Sequence, residues 1–183
     1  MFSNSYAPVR FERDCDVIMV PEGETVELPA GTSGYLTQSL GGSFTIFVEG
    51  RLFRLNGEDA DAIGKQPPPR PTVPEGATDE DYEDLVHHQL QTIFDPEIPI
   101  NIVDLGLIYD CQVHHHEDGT RSVDIAMTLT APGCGMGDIL VDDVHDRLKM
   151  IPTVETVNVA LTFDPPWNQS MMSEAARLET GMF

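Results

Sequence analysis

The stretch Leu107–Ile151, "LIYDCQVHHHEDGTRSVDIAMTLTAPGCGMGDILVDDVHDRLKMI", decides how the second half of the chain folds. Its first half alternates apolar and polar side chains on both sides of "EDGT", the pattern of a β-hairpin with a glycine in its turn. Pro132 stops the second strand, because proline removes a ladder donor. The period then changes. Leu140, Val144 and Leu148 fall on one helical stripe, and Asp142, Asp143 and Asp146 lie mostly off it. "TVETVNVALTF", residues 153–163, returns to a strand. Upstream, "TDEDYEDLVHHQLQTIF", residues 78–94, reads as a helix with Thr78 as N-cap and an acidic first turn that suits the helix dipole. "DPEIPINIVDLG", residues 95–106, is a proline-broken loop. "SEAARLET", residues 173–180, closes as a helix with Gly181 beyond its end. The order α-β-β-α-β-α predicts an α+β domain built as a two-layer α/β sandwich, with helices on one face of a sheet.

Before this domain the composition shifts at "KQPPPRPTVPEGA", residues 65–77, where five prolines in thirteen residues exclude a helix or a central strand. The expected division is a small β-rich domain at 1–66, a proline-rich linker at 67–77 and the α+β domain at 78–183. "DVIMV", "ETVELP", "SGYLTQSL", "SFTIFVEG" and "RLFRLN" are short β-type runs separated by glycine-bearing turns, which suggests a small antiparallel barrel or sandwich. Glu49-Gly50 is the turn of a hairpin, and "GEDADAIGK" after Asn56 adds a helical turn.

The 183 residues carry 31 acidic against 10 basic side chains, a formal charge of −21. That balance argues against nucleic acid or an anionic membrane surface as partner, since both need clustered Lys and Arg. No run reaches the length of a membrane span, and the first residues lack the apolar region of a secretory signal. Three widely spaced cysteines do not form a disulfide framework. The expected setting is the cytosol, with reduced thiols.

Cys134 stands between Gly133 and Gly135, after Pro132 and just before the second helix. Free N–H groups and the positive dipole end at a helix N-terminus favour a thiolate, the form that ligates metal or attacks an electrophile. A glycine-rich turn around a small buried residue is the plain alternative. A nucleophile needs a base; His145 is eleven residues away on the same helix, too far to serve, while His87 and His88 lie on another helix. As a metal ligand Cys134 has no CxxC partner, so one chain does not close a four-ligand site. A second copy, a partner or a small thiol would supply the rest, with Asp95, Glu97 and Asp104 as available carboxylates. These carboxylates equally suit local turn bonds. In the run His114–His116, strand alternation sends His114 and His116 one way and His115 the other, the pattern of a solvated hairpin end. Cys111 is expected to point with Val113 into the core, and Cys15 to pack.

Three blocks in this order, "DPEIPINIVDLGLIYD", "MTLTAPGCGMG" and "VNVALTFDPPWNQSMMSEAARLETGM", resemble the small iron–sulfur assembly domain of the SufT family. The same domain occurs in the eukaryotic cytosolic iron–sulfur targeting subunit and in the PaaD accessory protein. The preceding "VPEGETVELPAGTSGYLTQSLGGSFTIF" looks like the extra N-terminal domain of that family. The resemblance implies an iron–sulfur cluster assembly factor, a carrier, scaffold or targeting adaptor and not an enzyme. Its motif residues fall on Asp95, Pro96 and Glu97, on Asp104, Gly106 and Leu107, and on Thr128, Thr130 and Cys134, with Cys134 as the implied ligand of a transient cluster or iron. Implied partners are the assembly machinery and client apoproteins, with the chain as a homodimer. An adaptor that binds no metal and a thiol-dependent enzyme remain open as alternatives.

Overall fold

A computed structural model describes residues 6–40, 42–95, 98, 100–131, 135 and 137–181. The chain divides into two compact units, Met1–Pro69 and Arg70–Phe183.

The first unit is one six-stranded antiparallel sheet. Its strands are β1 (Ala7–Arg10), β2 (Cys15–Val20), β3 (Thr25–Leu28), β4 (Ser33–Leu40), β5 (Ser43–Val48) and β6 (Arg51–Asn56), in the spatial order β1-β4-β5-β6-β2-β3. A single sheet stands where a barrel or sandwich was expected, and no ladder joins β1 to β3 among the described residues. β1 has no clear signal of its own. It forms because β4 offers it an edge, with Pro8 opposite Tyr35 and Arg10 opposite Ser33. Glu49 and Gly50 both have positive φ, 48° and 87°, as a two-residue turn between right-twisted strands requires. Alternate residues Phe44, Ile46, Val48, Phe53 and Leu55 face a core that the 3₁₀ segment Gly57–Ile63 caps with Ala60, Ala62 and Ile63. Cys15 is buried in that core. Arg13 forks onto Asp59 and Asp61 at 2.8 Å each, which holds this segment to the β1–β2 connection.

The second unit contains α1 (Asp79–Leu90), β7 (Ile108–His115), β8 (Arg121–Met127), α2 (Gly137–Lys149), β9 (Val154–Leu161) and α3 (Glu174–Thr180). Thr78 caps α1 in a reciprocal box: Asp81 N–H donates to Thr78 Oγ1 at 3.2 Å, and Thr78 N–H donates to Asp81 Oδ2 at 2.8 Å. The bonds that Thr78 N–H and Thr78 Oγ1 donate to its carboxylate hold the Asp81 carboxyl below its ordinary pKa. The sheet order is β7-β8-β9, antiparallel between β7 and β8 and parallel between β8 and β9. The parallel pair follows from α2, since a helical crossover returns the chain in the same direction. β8 is the central strand and alternates strictly, with Val123, Ile125 and Met127 buried. They share one core with Val86 and Leu90 of α1 and with Leu140, Val144 and Leu148 of α2.

Arg121 opens β8 and is buried, 6% exposed. Its guanidinium lies 3.5 Å from the Tyr82 ring centroid and donates to Asp79 Oδ1 at 3.0 Å. Stacking and ion pairing together offset its desolvation. His115 Nδ1 meets the same Asp79 oxygen at 3.0 Å, while His114 pairs with Asp124 and His116 with Ser122 on the other face. The alternation expected of the histidines is thus present. Cys111 does not join the core: it is exposed on β7, an edge strand that α1 covers only in part. Its thiol, on the side of Glu83 of α1, is nevertheless desolvated, and burial with nearby Asp110 and Glu83 pushes its pKa to about 11.

Candidate functional site

The site's frame is the loop between α1 and β7, which is packed like core. Ile100, Ile102, Leu105 and Leu107 are all buried, the last three completely. A buried loop must place its polar backbone groups, and this one does so internally. Asp95 N–H donates to Ile100 O at 3.1 Å and Ile102 N–H to Ile93 O at 2.9 Å, which ties Ile93 and Asp95 to Ile100 and Ile102. Asp95 is buried, and its Oδ1 accepts the Ile98 N–H at 2.9 Å. The local turn bond expected of an aspartate before proline is therefore made. Pro96, Glu97 and Pro99 lie outside the described residues.

Asn101 Oδ1 accepts the N–H groups of Val103 and Asp104 at 3.1 and 2.9 Å, and its Nδ2 donates to Asp104 Oδ2 at 2.6 Å. Asp104 is half-buried, so Asn101 holds one carboxylate oxygen. Gly106 has φ 76°, and a Cβ built there would lie 2.2 Å from Met171 O. Glycine is required twice over, for the left-handed backbone and for the close approach.

What approaches is the chain after β9, residues 163–173, which straps the loop down. Trp167 Nε1 donates to Leu105 O at 2.7 Å, Ser173 N–H to Asp104 O at 2.8 Å, and Tyr109 OH to Pro165 O at 2.7 Å. Met172 is buried and Trp167 half-buried against the core. The one trace of the strap in the sequence is Trp167, an indole whose N–H needs a partner when it packs against the core.

The end of β8 joins this frame directly, since Thr128 N–H donates to Leu107 O at 2.8 Å. Thr128 is fully buried, and its Oγ1 has no hydrogen-bond partner among the described residues. Thr130 is half-buried and Ala131 exposed. Pro132, Gly133, Cys134 and Met136 lie outside the described residues. Their anchors are described: Leu129 is buried, and Gly137, the first residue of α2, is buried against it so closely that a Cβ there would stand 2.6 Å from Leu129 Cδ1. The described chain on either side of that segment is therefore buried, at Leu129 and at Gly137 where α2 begins and the first N–H groups lack helical partners. No cluster of three or more His, Cys, Asp or Glu side chains able to hold a metal occurs among the described residues.

The geometry of the two loops falls within the region where this chain is similar to known proteins. Residues 83–160 match a family described as iron–sulfur cluster assembly protein. A Porphyromonas gingivalis protein named Fe-S protein maturation auxiliary factor is 48% identical over 99 residues, which span 54% of this chain and 90% of that relative. The chain belongs to the iron–sulfur cluster assembly protein family. Two further members are each 40% identical. The Bacillus subtilis Fe-S protein maturation auxiliary factor YitW aligns over 93 residues, 51% of this chain and 87% of its own length. The Staphylococcus aureus factor SufT aligns over 90 residues, 49% of this chain and 98% of its own length. The family match begins at residue 83, beyond the first unit.

Proposed function

We propose that the chain matures iron–sulfur proteins, carrying or targeting clusters to client apoproteins through Cys134 without turnover of its own. The reading is carried by one observation: the strand-to-helix segment that holds Cys134 lies within residues 83–160, which match the family described as iron–sulfur cluster assembly protein. The surrounding chemistry supports it. A cysteine close before α2 has unpartnered amides and a positive dipole end to favour the thiolate, and Asp104 stands on the adjoining loop. The cluster is cargo. One thiolate per chain leaves the remaining iron valences to a donor, a recipient, a small thiol or a second copy. Exchange of thiolate for thiolate then passes the cluster on, with the assembly machinery and client apoproteins of the cytosol as partners. Thr130 and Glu97 are further proposed contacts of the cluster, and the buried Asp95 holds the preceding turn through its bond from Ile98 N–H.

Anaerobic reconstitution with ferrous iron and sulfide tests this. Wild-type chain gains iron, sulfide and visible absorbance, and passes the iron and sulfide to an added apoprotein; Cys134→Ser gains none of the three. Equal loading of the two chains removes Cys134 as ligand.

A further inference from the structure

The strap that holds the Asp104 loop has one joint whose strength depends on a sulfur atom. The Tyr109 hydroxyl faces two acceptors of the strap, Pro165 O at 2.7 Å and Met171 Sδ at 3.5 Å. A phenol has one proton to donate, a carbonyl oxygen accepts it well and a thioether accepts it weakly. The proton therefore goes to Pro165 O, and the sulfur is the second, longer contact. Met171 also sits at the clamp itself, since its backbone O is the atom that a Cβ at Gly106 would meet.

Met171 and Met172 are adjacent but differ in access. Met172 is 3% exposed and belongs to the core, whereas Met171 ends the short 3₁₀ turn Gln169–Met171 and is half-buried. Met127 is completely buried, and Met19 and Met150 are half-buried. Among the described residues, Met171 is the methionine whose sulfur meets a hydroxyl group.

We propose that Met171 is an oxidation site and that its conversion to the sulfoxide by a peroxide releases the strap from Tyr109. A lone pair of Sδ attacks one peroxide oxygen. The S–O bond forms as the O–O bond breaks, the transferred oxygen gives up its proton, and the departing hydroxide takes a proton and leaves as water. The sulfur loses two electrons and the peroxide gains them. A polar oxygen, a strong acceptor, then stands on the atom that was the weak one. It takes the single Tyr109 proton, and Pro165 O loses its donor. The strap keeps its bonds from Trp167 Nε1 to Leu105 O and from Ser173 N–H to Asp104 O, but no longer the one at Pro165. The loop that carries Asp104 loosens under oxidising conditions, and it tightens again when a thiol-dependent reductase returns the sulfoxide to the thioether. The inference concerns the strap and is independent of whether Cys134 carries a cluster.

Dilute hydrogen peroxide added to the full chain tests it. Peptide mass spectrometry finds one added oxygen on Met171 before Met127 and Met172 react. Emission of Trp167, the chain's one tryptophan, shifts to the red as the strap takes up water, while the far-UV circular dichroism is unchanged. The methionine sulfoxide reductases for the two epimers together reverse the shift. Met171→Leu keeps the apolar volume without the sulfur, and its emission does not respond to peroxide, which separates Met171 from the cysteines. Tyr109→Phe removes the contested proton: its emission starts red-shifted and moves no further, although Met171 is still oxidised. A Met171 that stays reduced after Met127 and Met172 have reacted, a sulfoxide with unchanged Trp167 emission, unfolding of the whole chain, or a shift in Met171→Leu or Tyr109→Phe as large as in the wild type overturns the proposal.

Discussion

Gly106→Ala is the substitution whose outcome the structure determines most directly. The added methyl group carries two separable costs. The first is conformational: φ is 76°, and an alanine there loses about 1 kcal/mol against glycine. The second is steric: the new Cβ stands 2.2 Å from Met171 O and 2.8 Å from Met171 C, which are backbone atoms that cannot rotate away. The strap must lift, and with it go the bonds from Trp167 Nε1 to Leu105 O and from Ser173 N–H to Asp104 O. At about 1 kcal/mol each these add roughly 2 kcal/mol, for a total near 3 kcal/mol. That is a large share of a stability of about 5–15 kcal/mol. Gly119→Ala is the internal control. Gly119 has φ 85°, but nothing lies within 4 Å of its built Cβ, so only the conformational cost of about 1 kcal/mol applies. Urea titration measures both, and Trp167, the chain's one tryptophan, reports the strap by its emission. Equal destabilisation by the two substitutions, with unchanged Trp167 emission in Gly106→Ala, refutes the clamp.

Thr128→Val replaces a buried hydroxyl that has no partner among the described residues by a methyl group of the same shape, and stability rises by about 1 kcal/mol in thermal or urea unfolding. Thr78→Ala removes the bond that Asp81 N–H donates to Thr78 Oγ1 and costs about 1 kcal/mol, read by the same titration. Cys111 resists alkylation at neutral pH, and its rate climbs with a midpoint near the thiol pKa of about 11. Because the folded thiol holds its proton longer than an unfolded one, its contribution to stability is complete below about pH 9 and is lost as pH rises towards 11. Cys111→Ala flattens the stability–pH curve over that window.

Much of the second unit was legible because its signals are local. Thr78 caps α1, "EDGT" turns the β7–β8 hairpin, and Leu140, Val144 and Leu148 mark the buried stripe of α2. Each depends on a few neighbouring residues and on the 3.6 or 2 residue period of the backbone. The candidate site was legible only as a set of motifs. Asp95 was open between a turn bond and a ligand, and its bond to Ile98 N–H shows the turn bond made. That Asp104 and Thr128 belong to adjoining segments, joined through Leu107 O, could not be read from their spacing.

What the sequence alone determined is the kind and order of the helices and strands of the second unit, the Glu49-Gly50 turn and the division of faces among the histidines. What only the tertiary structure decided is partnership. β1 exists because β4 has an edge to fill, and β9 runs parallel to β8 because α2 carries it there. Arg121 is buried because Tyr82 and Asp79, far away in sequence, converge on it. Cys111 is exposed because α1 covers only part of an edge strand. Periodicity states which face of an element is apolar; which surface covers it is settled only when all such faces must be buried at once in one close-packed volume.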